Sequence, residues 1–196
     1  VQLIVGNSKG CRDTLDKVAN VLNKPTILVT NDTLICSIDT LQLSAFGAGT
    51  FTWSPNYMIS DVNIANPLVS PDVPTKYYVT LNSAPGCTNT DSVFVNVKTF
   101  VTLNAGPDTT ICLTDTVRLT PFSDALSYRW SPAASLNNPN AKSPVARPPG
   151  NITYTVTANI GKCQATDAIN ISTVPYPVVN VSNDTSICFG DQAQLF

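Results

Sequence analysis

Apolar and polar residues alternate along many short runs of this chain. TLQLSA (Thr40 to Ala45), TFTWS (Thr50 to Ser54), YYVTL (Tyr77 to Leu81) and SVFVNV (Ser92 to Val97) appear in its first half. TVRLT, YRWS, YTVTA and AINIS follow between Thr116 and Ser172. Successive side chains of a strand point to opposite faces, so a period of two predicts half-buried strands. Turn-forming clusters such as FGAG, NSAPG and SLNNPN separate the runs. That spacing predicts an all-β sandwich. The acidic residues agree, because all thirteen are Asp and none is Glu. Glu favours helices, whereas Asp favours turns and caps.

The alternation also repeats over a longer interval. NDTLIC (Asn31 to Cys36) returns as PDTTIC (Pro107 to Cys112) and again as NDTSIC (Asn183 to Cys188), so that Cys36, Cys112 and Cys188 are evenly spaced. Cys11, Cys87 and Cys163 keep the same interval, the first two directly after a glycine and the third two residues after one. FTWSP from Phe51 returns as YRWSP from Tyr128, after an interval longer by one residue. KYYVT from Lys76 returns within ITYTVT from Ile152, which sets Tyr78 against Tyr154 and implies that the extra residue is lost before the tyrosine. A fixed period of this size predicts a tandem array. Its expected parts are the C-terminal part of one repeat (1–22), two complete repeats (23–98 and 99–174) and the N-terminal part of the next (175–196). Trp53, Trp130, Tyr78 and Tyr154 are expected in the cores, with the tyrosine hydroxyls pinning a loop. The joints contain no Gly-Ser tract, and Pro25, Pro175 and Pro177 stand near them. Proline-containing extended linkers act as semi-rigid spacers, so a rod is expected, with each unit spanning roughly 30–40 Å.

Six cysteines without one histidine point to structural disulfides in an exported protein. Zinc-type and redox C-x-x-C pairs are missing. Two pairings fit the spacing. Cys36–Cys87 and Cys112–Cys163 would each staple one complete repeat, while Cys11–Cys36 and Cys87–Cys112 would tie neighbouring repeats. The first is preferred, because each unit of an array needs its own core and a bridge closing about 50 residues stabilises by about 4 kcal/mol. Cys11 and Cys188 would then pair outside this segment.

The formal charge of −2 and 12% charged residues change the picture by exclusion. Nucleic-acid binders carry basic patches, and this chain carries none. No run approaches a membrane span. The absence of histidine removes triads and His-based metal sites, and no nucleophile elbow or phosphate-binding glycine loop occurs. Asp32, Asp108 and Asp184 lie near the joints, where calcium could be considered. Calcium takes about six to eight oxygen ligands, and no joint carries a dense acidic cluster, so no cofactor is expected.

The ordered set Ile-Cys, Trp-Ser-Pro, Thr-Tyr-x-Val and Gly-Cys resembles the PKD-like and Ig-like repeats of very large cell-surface proteins of Bacteroidetes. Among these are gliding-motility adhesins of the SprB type, cargo of type 9 secretion. The resemblance implies tandem β-sandwich repeats at the cell surface, a non-enzymatic stalk whose partners are neighbouring repeats and a ligand at a distal tip. It also implies O-glycosylation at Asp-Ser/Thr followed by an apolar residue or Thr, which Thr14, Thr33, Thr40, Ser92, Thr109 and Thr116 match. The same turn chemistry suits an unmodified strand start. The rival expectation is an accessory module of a secreted polysaccharide-degrading enzyme, with Trp53 and Trp130 exposed to sugar.

Overall fold

A computed structural model describes every residue except 19, 85, 181–183, 185, 191 and 193–196. It divides into two compact units, Val1–Thr99 and Phe100–Phe196. Strands are the only regular elements among the described residues.

The first unit opens with a hairpin of β1 (Gln2–Gly6) and β2 (Arg12–Asp16). The Asn7 side chain closes its turn by accepting from the amides of Lys9 and Cys11. The sandwich follows, with β3 (Leu28–Val29), β4 (Thr33–Cys36), β5 (Leu41–Gln42), β6 (Ala45–Phe46), β7 (Thr50–Ser54), β8 (Leu68–Val69), β9 (Thr75–Ser83) and β10 (Cys87–Lys98). One sheet has the order β4-β10-β9-β7, antiparallel except for the parallel β4–β10 edge. The opposing layer comprises the ladders β3–β6 and β5–β8. The TLQLSA run is thus not one strand. It breaks between β5 and β6, so that its first half pairs with β8 and its second with β3.

Alternation explains the core. Thr75, Tyr77, Val79 and Leu81 of β9 point inward, as do Val93, Val95 and Val97 of β10. All of these but Thr75 meet Trp53, Ile35, Leu43, Ala45 and Val69 in one cluster. Gly47 and Gly49 let the chain turn tightly between β6 and β7. A Cβ on Gly49 would lie 2.1 Å from the Asn82 carbonyl oxygen, and its φ of +153° further disfavours side chains.

The second unit repeats this plan with β11 (Leu103–Asn104), β12 (Thr109–Cys112), β13 (Val117–Arg118), β14 (Phe122–Ser123), β15 (Ser127–Ser131), β16 (Val145–Ala146), β17 (Ile152–Ile160) and β18 (Cys163–Val174). Its main sheet runs β12-β18-β17-β15, again with a parallel first pair. Leu119, Trp130, Ala146, Tyr154, Val156, Ile169 and Ile171 fill the interior. Strand order and the parallel edge make both units Ig-like sandwiches. The third copy of the hexapeptide lies partly outside the described residues, at positions 183 and 185.

One expectation about the core needs correction. Tyr78 is 45% exposed, whereas Tyr77 is fully buried. Trp53 pairs with Val79 across β7–β9, and Trp130 pairs with Val156 across β15–β17. Val79 therefore corresponds to Val156, and Tyr77 to Tyr154. The residue gained before the tryptophan persists through the tyrosine and is lost in the next turn, which runs from Ser83 to Cys87 in one unit and from Ile160 to Cys163 in the other. A one-residue slip moves a strand side chain to the opposite face, which places Tyr78 on the surface.

Candidate functional site

In each complete repeat one cysteine begins the longest strand, and the other ends a short edge strand beside the last residue of that long strand. The parallel register sets Cys36 beside Lys98, the last residue of β10. Cys87 begins that strand, at its opposite end. At about 3.3 Å per residue the two ends lie roughly 36 Å apart. A disulfide requires Cα atoms about 4.4–6.8 Å apart. The second unit has the same geometry, with Cys112 beside Val174 at one end of β18 and Cys163 at the other.

The expected bridges Cys36–Cys87 and Cys112–Cys163 are therefore not formed. Cys36 and Cys163 are disulfide-bonded, while Cys11, Cys87, Cys112 and Cys188 are free thiols. The same states exclude Cys11–Cys36 and Cys87–Cys112. The sequence-based preference assumed that the chain between the two cysteines of a repeat folds back to bring them together. The parallel β4–β10 pairing instead holds them at opposite ends. Disulfides persist in oxidising compartments, so the bonded cysteines point to a secreted or extracellular domain.

The recurring aspartates join the parallel edge to the sheet. Asp32 accepts from the Phe94 amide at 2.7 Å. Asp108, its counterpart in the next repeat, accepts from the Asn170 amide at 2.8 Å and from its side-chain nitrogen at 2.9 Å. These bonds hold the Asp108 carboxyl below the usual carboxylate range. Asp39 and Asp115 shape the turn after each first cysteine, their amides donating to the Cys36 and Cys112 carbonyls. The Asp39 side chain also accepts from the Cys36 amide at 2.9 Å. Among the described residues, no three Asp or Cys side chains gather in a metal-binding group.

Trp53 and Trp130 are 2% and 1% exposed. The Trp53 ring nitrogen donates to the Ile64 carbonyl at 2.9 Å. The Trp130 ring nitrogen is buried without a partner, beside a hollow of about 340 Å³ lined by Arg129, Ser131, Ala133, Pro139 and Asn140. Sequence reasoning missed Tyr77, whose hydroxyl donates to the Tyr57 carbonyl at 2.8 Å and pins the loop after β7. Burial pushes its phenol up to about 12. Tyr154 does the same work in the second unit through Ser135. Of the candidate glycosylation acceptors, Thr14, Thr40 and Thr116 are exposed, and Thr33, Ser92 and Thr109 are half-buried.

No family model matches the chain, and no curated protein matches it. Among solved structures it is similar to three N-terminal domains of the Highly Immunogenic Outer Capsid protein of bacteriophage RB49. The two share 17% identity over 76% of this chain and 59% of that one, at a TM-score of 0.44. It is also similar to extracellular domains 3–5 of Drosophila OTK, at 11% identity over 88% of this chain and 70% of that one, with a TM-score of 0.41. The insect immune protein hemolin gives 10% identity over 87% and 55%, with a TM-score of 0.35.

Proposed function

We propose that this chain is a stalk segment of a very large secreted cell-surface adhesin that serves attachment or gliding motility. The observation that carries this reading is the fate of the aromatic and acidic residues. Both tryptophans are buried, and Asp32 and Asp108 are spent on strand amides. Side chains that would serve a binding platform or an acid–base pair therefore serve the sandwich. A stalk requires only folded units in series and takes no cofactor. Its mechanism is mechanical, in that the repeats hold a distal tip away from the cell. Thr40 and Thr116, equivalent and exposed, are the acceptors best placed for O-glycans, which would shield a surface poor in charge.

The rival reading, an accessory module that touches polysaccharide, draws support from the hollow beside Trp130. The ring is nonetheless too buried to offer a face for stacking. Affinity electrophoresis of the chain in gels containing soluble polysaccharides separates the two. Unretarded migration in every gel is expected of a stalk. Retardation that disappears in Trp130→Ala, with the fold intact by circular dichroism, would overturn the stalk reading.

A further inference from the structure

The hairpin that opens the chain has the register of the central hairpin of the first sandwich. Leu3 pairs with Leu15 and Val5 with Asp13, as Val79 pairs with Asp91 and Leu81 with Asn89 one repeat interval later. Every pair of β1–β2 maps in this way onto a pair of β9–β10. Leu3 and Val5 therefore hold the places of Val79 and Leu81. In the sandwich those two are fully buried, in a cluster with Leu43, Ala45 and Val69 of the opposing layer. In the hairpin Leu3 and Val5 are each 60% exposed, and Val1 and Leu15 are exposed with them. Residues paired directly across two strands share a face, so Leu15 widens the apolar surface around Leu3. Lys17 departs from the plan, one interval before buried Val93. Val1, Leu3, Leu15, Lys17 and Val18 line a hollow of about 500 Å³. Among the described residues, β1 and β2 pair only with each other. An isolated two-stranded hairpin is marginally stable at best in water, and a contiguous exposed apolar face marks an interaction site.

We propose that the Val1, Leu3, Val5 and Leu15 face of this hairpin is a docking surface for the residues that precede Val1 in the full-length polypeptide, a segment carrying a Trp-Ser-Pro strand. The shared register sets the arrangement. Trp53 of β7 lies opposite Val79, and Trp130 of β15 lies opposite Val156. The docking strand runs antiparallel to β1 along the edge that β2 leaves free, with its tryptophan opposite Leu3. Its indole covers the hollow, and counterparts of Leu43, Ala45 and Val69 cover Val5. Two observations select this occupant over a second copy of the chain. The Trp-Ser-Pro strands of the chain, β7 and β15, are already built into their own sheets, so a second copy has none to lend. In each unit the covering strands also come from just before the covered face, with β8 ending at Val69 and β9 starting at Thr75. A segment tethered so closely docks at high effective concentration. The assignment rests on the repeat and not on the stalk, since an accessory module needs the same cover.

Hydrogen exchange on peptides from β1 and β2 tests this, compared between the native full-length protein and the 196-residue chain. In the full-length protein these amides should be protected to the level of β9 and β10. Their exchange should be roughly a hundredfold slower than in the 196-residue chain, whatever the protein concentration. Leu3→Asp in the full-length protein should abolish that protection. Ile4→Asp should retain it, because adjacent strand residues point to opposite faces. Hairpin amides that exchange as fast in the full-length protein as in the 196-residue chain would overturn the proposal. So would protection in the 196-residue chain that rises with its concentration, which would give the face to a second copy. Equal loss of protection in the two variants would overturn it as well. A low repeat count would sink the stalk and leave each of these outcomes unchanged.

Discussion

Replacing Tyr77 and Tyr78 one at a time tests the strand register that organises the first unit. Tyr77 is fully buried, and its hydroxyl donates to the Tyr57 carbonyl. Truncating a buried large aromatic side chain to alanine costs about 3–5 kcal/mol. A unit of this size has a total stability of roughly 4–11 kcal/mol, so Tyr77→Ala removes a large share of it. Tyr77→Phe keeps the ring and loses one hydrogen bond, at about 1 kcal/mol. That corresponds to a melting shift of about 4–8 °C. Tyr78 faces solvent, with the Lys76 ammonium 5.5 Å from its ring centre. Losing that contact costs about 0.5 kcal/mol. The assay is hydrogen exchange at increasing urea, read on peptides from β9 and β10, with peptides from β17 and β18 as the internal reference. The expected order of destabilisation is Tyr77→Ala, then Tyr77→Phe, then Tyr78→Ala. If Tyr78→Ala destabilised the first unit as much as Tyr77→Ala, the register argument would fail.

Three further outcomes follow from the same geometry. The Tyr77 phenol is raised from 10.0 to about 12, so the folded state retains the proton longer than the unfolded state. Its stabilising contribution is full below about pH 10 and is lost as pH rises towards 12, and alkaline melting curves of Tyr77→Phe should lack that part of the fall. Asp108 is lowered by its bonds to Asn170, so its contribution is present above the ordinary carboxylate range and is lost on acidification. Asp108→Asn should flatten the acid limb of the second unit's unfolding profile. Gly49→Ala should destabilise the first unit by about 1–3 kcal/mol through backbone strain, measured by urea denaturation, because its Cβ would strike the Asn82 carbonyl.

Much of this fold can be read from local pattern. Inward positions of β9 and β17 alternate with outward ones, and Asp32 and Asp108 recur before the strands they help to dock. What escaped was whatever depends on pairing between distant strands. Tyr77 and Tyr78 are adjacent and chemically identical, so only the partner of Trp53 decides which faces inward. The TLQLSA run alternates cleanly, yet its two halves serve different neighbours. The cysteine pairing failed for the same reason. Spacing along the chain suggested a loop, whereas a parallel edge strand carries Cys36 to the far end of β10. No local signal marks an edge strand as parallel.

The central claim is that these repeats act in series as the stalk of a very long surface protein. The most direct measurement is the mass of the native full-length chain taken from the cell surface under non-reducing conditions, with repeat copies counted by peptide mapping. The stalk reading predicts a mass of many hundreds of kilodaltons made up largely of copies of this unit. A chain carrying only a few copies beside an enzyme domain would contradict it.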